Sequence, residues 1–178
     1  TANMDNWDFP FGDKITNAIK ERQPKQSRTG YVNSEATKHL FVDDIKHPYN
    51  EDKPFDWIRG YHVGGRSLTW GRQSHRLTKF DFEGNAKEGV AVDWPIRYKD
   101  LAPWYSYTEK FAGISGNKDG LDILPDGDFL PPLELSCVEN YFKDVVAKNY
   151  PDRHVIYARC AHLTKPNQIH LDQGRAQC

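Results

Sequence analysis

The sequence predicts a loop-rich chain carrying two principal helices and a few short strands, and three observations lead there. Apolar residues recur at helical spacing over two stretches only. Glycine and proline punctuate nearly everything between them, with 13 Gly and 11 Pro in 178 residues. Short apolar runs such as Leu40-Phe41-Val42 and Val155-Ile156-Tyr157-Ala158 have strand length but not helix length.

The first principal helix runs from about Lys99 to Phe111. Leu101, Trp104, Tyr105, Thr108 and Phe111 share its spacing, and the aromatic members read as core. Pro103 is expected in the first turn, where its missing N–H is harmless, and Gly113 and Gly116 stop the helix. The second begins at Ser136, where Ser136 and Glu139 form a capping-box signature, and carries Val138, Tyr141, Phe142, Val145 and Val146 on one side. Asn149-Tyr150-Pro151-Asp152 ends it.

The remainder is irregular. A short helix is expected from Asp13 to Arg22, ended by Pro24, after an aromatic knot at Trp7, Phe9 and Phe11. Turns are expected at His47-Pro48-Tyr49-Asn50, Lys53-Pro54 and Pro125-Asp126-Gly127. Gly84 to Gly89 reads as a turn or one helical turn, and Asp93-Trp94-Pro95-Ile96 as extended. The length allows one domain with its own core and makes a second unexpected.

Composition narrows function. Lys+Arg 24 against Asp+Glu 25 leaves a net charge of -1, which argues against bulk nucleic-acid or anionic-membrane binding. No apolar run is long enough to span a membrane, no signal-peptide pattern is present, and compartment stays open. Three cysteines without CxxC or zinc spacing indicate neither a disulfide framework nor a metal site. The acids Asp119, Asp122, Asp126 and Asp128 fail the calcium-loop spacing. Mean hydropathy is low, -0.79, yet aromatics reach 13%. The chain opens at Thr1, not Met, and reads as an excerpt that packs against further polypeptide.

One stretch departs from this balance. Arg59 to Arg76 holds Arg59, Arg66, Arg72 and Arg76 with Gly60, Gly64, Gly65 and Gly71, and no acid. Glycines allow close backbone approach, and arginine forks suit phosphate oxygens. Trp70 and Tyr61 add flat faces. Together these residues suit a phosphorylated, ring-bearing ligand. Two plainer readings stay open: a solvated basic loop, or arginines paired with Asp43, Asp44 and Asp81. The glycine spacing matches neither common nucleotide-binding pattern. His62 and His75 flank the stretch, and no acid–base pair stands out.

Val63-Gly64-Gly65-Arg66-Ser67-Leu68-Thr69-Trp70 resembles the flavin-contacting loop of the glucose–methanol–choline (GMC) oxidoreductases, in the branch that includes the pyranose oxidases. A second block, Val92 to Tyr105, is similar to the segment that enters a helix after that loop, and Phe129-Leu130-Pro131-Pro132 agrees more weakly. The resemblance implies an α/β parent fold, with a Rossmann-like FAD-binding domain and an α+β substrate domain. This chain would be an internal fragment: 1–58 a linker or insert, 59–95 an FAD-binding segment, and 96–178 the start of the substrate-domain framework.

The implied activity is oxidation of the CH–OH group of an alcohol, sugar or polyol, with hydride passing to flavin and a histidine taking the proton. The implied partners are that small substrate, an electron acceptor of unspecified kind and the remainder of the same polypeptide. By the resemblance, Gly64, Gly65, Ser67, Trp70 and Gly71 line the diphosphate and isoalloxazine. Thr69 stands where pyranose oxidases carry a flavin-linked histidine, so the FAD is expected to be non-covalent. Gly71 replaces a threonine, and Arg66 a smaller or apolar residue. The family's catalytic histidine lies outside these residues, so no catalytic residue is assigned and the fragment is expected to be inactive alone. The alternative is a non-enzymatic module that holds a carbohydrate or an anion.

Overall fold

A computed structural model describes residues 4–178. It contains two compact units, Thr1–Trp70 and Gly71–Cys178, where the length alone suggested one. The reason lies in the cores. Neither unit gathers a large apolar interior, so each closes around a small cluster reinforced by buried polar groups.

In the first unit Val32 and Val42 are buried beside Gln23, Gln26, Asn33 and Ser34. Helix α1 spans Asn17–Arg22, and the Thr16 hydroxyl caps it by accepting from the Ile19 N–H. The helix therefore begins four residues later than the expected start at Asp13. The helix stops before Pro24 as expected, with Gln23 at φ -130° and ψ 65°, and Pro24 also opens a second one, α2 (Pro24–Ser27), from its first position, where a proline loses nothing. Gln26 on α2 donates to the Val42 carbonyl, and Gln23 donates to Gln26 at 2.6 Å. Leu40-Phe41-Val42 is not a strand: Lys38–Leu40 forms a 3-10 turn, and the Val42 N–H reaches the Arg59 carbonyl at 2.9 Å.

In the second unit α3 spans Lys79–Glu88, α4 Tyr98–Ala112, α5 Cys137–Asn149 and α6 Gln168–Asp172. Helix α3 is longer than the single turn expected around Gly84. Its Thr78–Asp81 capping box starts it, and Gly89, at φ +66°, ends it. Helix α4 has the expected bounds within one residue, with Gly113 closing it at φ +77°. Pro103 sits inside α4 beyond the first turn, contrary to expectation. The capping box at Ser136 and Glu139 is formed as expected.

The apolar stripes did not become core. Trp104 is 66% exposed and Phe111 51%, while the buried residue of α4 is Glu109. On α5, Val138 and Tyr141 are 71% and 72% exposed. The buried apolar residues here are Phe82, Ile114 and Leu163.

Among the described residues no extended strand forms, including at Val155–Ala158. Instead four short segments lie side by side through single bridges. Gln73 pairs with Cys160, Cys160 with Ser115 and Ser115 with Leu130. Ser115 is fully buried at the centre, exchanging backbone bonds of 2.8 and 3.0 Å with Cys160.

Arg159, also fully buried, holds the loop from Asn117 to Leu130. Its guanidinium reaches Asp126 at 3.0 Å, Asp119 at 3.3 Å and the Pro125 carbonyl at 2.5 Å, and it lies over the Phe129 ring. The loop's acids thus have internal uses: Asp119 and Asp126 serve Arg159, and Asp128 pairs with Lys110 at 2.9 Å. His170 is fully buried and satisfied, accepting the Asn167 N–H at Nδ1 and contacting the Lys110 carbonyl through Nε2 at 2.7 Å.

Candidate functional site

The part of the Arg/Gly stretch up to Trp70 lies in the first unit and is assembled there by two ties to the segment around Leu40. The Arg59 carbonyl accepts the Val42 N–H, and His62 Nδ1 lies 2.7 Å from the Leu40 carbonyl. Gly60 leaves room between these ties, since a Cβ there would crowd the same Leu40 carbonyl at 3.1 Å. The chain then turns. Gly64 at φ +91° and Gly65 at φ +60° occupy the left-handed region that suits glycine. They lead into the 3-10 turn Gly65–Leu68, which begins after the Gly65 N–H reaches the His62 carbonyl at 3.0 Å.

Six of the seven expected cofactor residues lie on this turn and its exit: Gly64, Gly65, Arg66, Ser67, Thr69 and Trp70. Gly71 begins the second unit. A Cβ built on Gly65 meets nothing within 4 Å, so the space beside it is open. Ser67 donates its hydroxyl to the Gly64 carbonyl at 2.5 Å, and Thr69 donates to the Arg66 carbonyl at 3.3 Å. Both hydroxyl protons therefore stabilise the turn, and each oxygen keeps its lone pairs as an acceptor.

The arginines divide sharply. Arg76 is buried and pairs with Glu109 of α4, which is none of the acids considered beforehand. Asp43 instead receives Arg22 at 3.1 Å, Asp44 receives Gln23 at 3.0 Å, and Asp81 caps Thr78. Desolvation raises the Asp43 pKa, but the Ile45 and Lys46 N–H groups and Arg22 outweigh it and hold the carboxyl below its ordinary value. Among the described residues neither Arg59 nor Arg66 has a carboxylate partner. The pairing reading thus fails for both.

Aromatic rings hold both guanidiniums, and Arg59 also donates to the His47 carbonyl. Arg59 lies between Trp57 (5.0 Å) and Tyr49 (5.4 Å), which pack edge to face at 5.8 Å. Arg66 lies 5.3 Å over Phe41. Such stacking orients a guanidinium without neutralising its charge. Nearby acids are engaged elsewhere: the Lys25 ammonium holds Glu51 below the usual carboxylate range, and Arg28 does the same to Asp56. An open groove of about 500 Å³ results, lined by Trp57, Ile58, Arg59, Gly60, Tyr61 and Arg66. The roles of Trp57 and Phe41 escaped the sequence. Trp57 and Arg59 alternate in an extended segment, which is a usable local signal. Phe41 beneath Arg66 has no local signal at all.

No protein-family model matches the chain. Over 57 residues it is 35% identical to 2-methyl-1,2-propanediol dehydrogenase of Mycolicibacterium austroafricanum, covering 31% of this chain and 10% of that protein. Over 72 residues it is 31% identical to paromamine 6'-oxidase of Streptomyces fradiae, covering 39% and 13%. Over 91 residues it is 28% identical to the fructose dehydrogenase large subunit of Gluconobacter japonicus, covering 48% and 16%. The chain spans between 10% and 16% of the length of these relatives. Every one of them is named as a dehydrogenase or an oxidase, and the chain is therefore similar, in part of its length, to oxidoreductases.

Proposed function

We propose that this chain is a segment of an FAD-dependent, GMC-type oxidoreductase that oxidises the CH–OH group of an alcohol, sugar or polyol. One observation carries the reading. The Gly64–Gly65 turn is left-handed and open at Gly65, and it lies in sequence between two guanidiniums that no carboxylate among the described residues neutralises. Names of partial relatives support it, since they include a diol dehydrogenase and a fructose dehydrogenase.

The residues fit a dinucleotide's chemistry. Arg59 and Arg66 offer charged donors for a diphosphate, and Gly65 admits the ligand against the backbone. Trp57, Tyr61 and Trp70 offer exposed ring faces. Ser67 and Thr69 act differently from a phosphate-donating hydroxyl: their protons hold the turn, so they shape the site and accept bonds from it. Bound there, FAD supplies a hydride acceptor for the substrate carbon. Thr69 has no ring nitrogen to link to the flavin, and on this reading the FAD is held non-covalently. The proton acceptor is placed in polypeptide beyond this chain.

The full-length polypeptide, purified gently, is expected to show a flavin absorption band that acid precipitation releases into the supernatant. Gly65→Val is expected to abolish flavin retention by filling the open space beside the backbone, and because φ +60° strains any side chain there, circular dichroism of the variant is read alongside to separate loss of the ligand from loss of the turn. A colourless protein that takes up no added FAD overturns the enzyme reading in favour of a carbohydrate- or anion-binding module. Flavin retained by the pellet overturns only the non-covalent assignment.

A further inference from the structure

The chain reverses after α5. The Arg153 N–H donates to the Tyr150 carbonyl at 2.9 Å, and the segment from Arg153 to Ile156 returns beside the helix. The loop drawn in by Arg159 brings Asp119 and Leu121 to the same place. Together these three pieces line a cavity of about 180 Å³ within the second unit.

The charge of this cavity is one-sided. Lys143, Arg153 and His154 line it, and among the described residues none of the three has a carboxylate partner. The Lys143 ammonium lies 4.9 Å from the centre of the Tyr157 ring, which orients it without neutralising it. Asp119 is the acid of the wall, and it is engaged: Arg159 holds it at 3.3 Å and the Asn117 amide at 3.0 Å. Asp144 and Asp152, next in sequence to Lys143 and Arg153, do not line the cavity. Leu121, Val155 and Ile156 add apolar surface, each partly accessible.

These walls select a ligand class. Two permanent cations match the double charge of a phosphomonoester better than the single charge of a carboxylate. The Arg153 fork and the Lys143 ammonium both suit phosphate oxygens, and the His154 imidazole adds a further donor. The apolar surface gains nothing from inorganic phosphate, but it can cover the carbon body of an ester.

We propose that this cavity binds a phosphomonoester with a small apolar body, its phosphate held by Lys143 and Arg153. The cavity shares no lining residue with the groove at Arg59 and Arg66, and the inference does not rest on the flavin reading.

The test is calorimetric titration of the full-length polypeptide with phenyl phosphate, using inorganic phosphate and benzoate as comparisons. Phenyl phosphate is expected to bind saturably, about tenfold more tightly than either comparison. Arg153→Gln and Lys143→Gln break no ion pair of the fold, and each is expected to weaken binding about tenfold with circular dichroism unchanged. Arg66→Ala is expected to leave this binding as it is. Absence of saturable binding, equal affinity for either comparison, or unchanged affinity in either folded Gln variant would each overturn the proposal. Binding lost in Arg66→Ala and kept in Arg153→Gln would place the ligand in the other groove and overturn it too. If one Gln variant fails to fold, the other decides.

Discussion

Arg76 and Glu109 meet as a two-pronged ion pair inside the second unit, with Nε to Oε1 at 2.8 Å and Nη2 to Oε2 at 2.6 Å. Their side chains are 7% and 8% exposed. Further bonds complete the cluster: Arg76 donates to the Tyr98 and Ser106 hydroxyls, and Glu109 accepts the Asp128 N–H at 2.8 Å. The Glu109 hydrogen bond, chiefly, drives the Arg76 pKa upward, so this charge persists at any ordinary pH. Removing one partner of such a pair strands the other charge in a dry site. Glu109→Ala is therefore expected to destabilise the chain by about 3–5 kcal/mol in denaturant titration. Arg76→Met combined with Glu109→Leu is expected to recover much of that loss. Equal effects in the single and double variants would show that packing, not charge, dominates there.

Gly113 is held to glycine by two constraints at once. Its φ is +77°, and a Cβ would lie 2.5 Å from Leu163 Cδ1 in the core. Gly120 has φ +66° but open space around it. Gly120→Ala is expected to cost about 1 kcal/mol for the backbone alone. Gly113→Ala adds a packing conflict of about 1–3 kcal/mol. Thermal unfolding of both variants checks the order, and equal losses would rule out the Leu163 contact as a constraint.

The start of α5 responds to mutation and to acid. Ser136→Ala is expected to cost about 1 kcal/mol by removing the cap on the Glu139 N–H. The reciprocal bond from the Ser136 N–H holds the Glu139 carboxyl below its ordinary 4.5. A carboxyl depressed in the folded state contributes stability above its unfolded pKa, and that contribution is lost as pH falls through the folded value. Helix melting followed by circular dichroism should therefore show an acid-side loss below about pH 4.5 that Glu139→Gln removes.

Arg66 separates ligand binding from stability. It is exposed and touches the protein through the Phe41 ring. Arg66→Ala is expected to shift stability by no more than about 0.5 kcal/mol. The same change in the full-length protein should lower flavin retention, measured by absorbance after dialysis. Unchanged retention would remove Arg66 from the site.

The outward apolar face of α5 at Val138, Tyr141 and Phe142 is larger than isolated exposed side chains explain. On the proposed reading of the chain as a segment of a longer protein, this face is expected to contact the remainder of that polypeptide. Tyr141→Asp is then expected to reduce dye binding and self-association of the isolated chain, and to lower the melting temperature of the full-length protein. A full-length protein indifferent to that change would leave the face uncovered.

Local features were legible in the sequence because their causes are local. Ser136 and Glu139 cap α5 across one turn, Gly113 closes α4, and Gly64-Gly65 turns the backbone by its own freedom. Each depends on residues no more than four apart. The helix at Lys79–Glu88 was equally readable from Thr78 and Asp81, but two internal signals, Gly84 and a weak apolar pattern, pointed the other way.

Tertiary structure alone decided which residues face inward. The spacing on α4 named Trp104 and Phe111, yet Glu109 is buried, because its partner Arg76 lies 33 residues earlier. The same holds for Arg66 over Phe41 and for Arg159 within the acidic loop. Periodicity reports that a face is apolar, whereas burial depends on which distant groups arrive to cover it. In the Arg59–Arg76 stretch the sequence supplied the charge and the glycines. Only the fold consumed Arg76 internally and left Arg59 and Arg66 without a carboxylate.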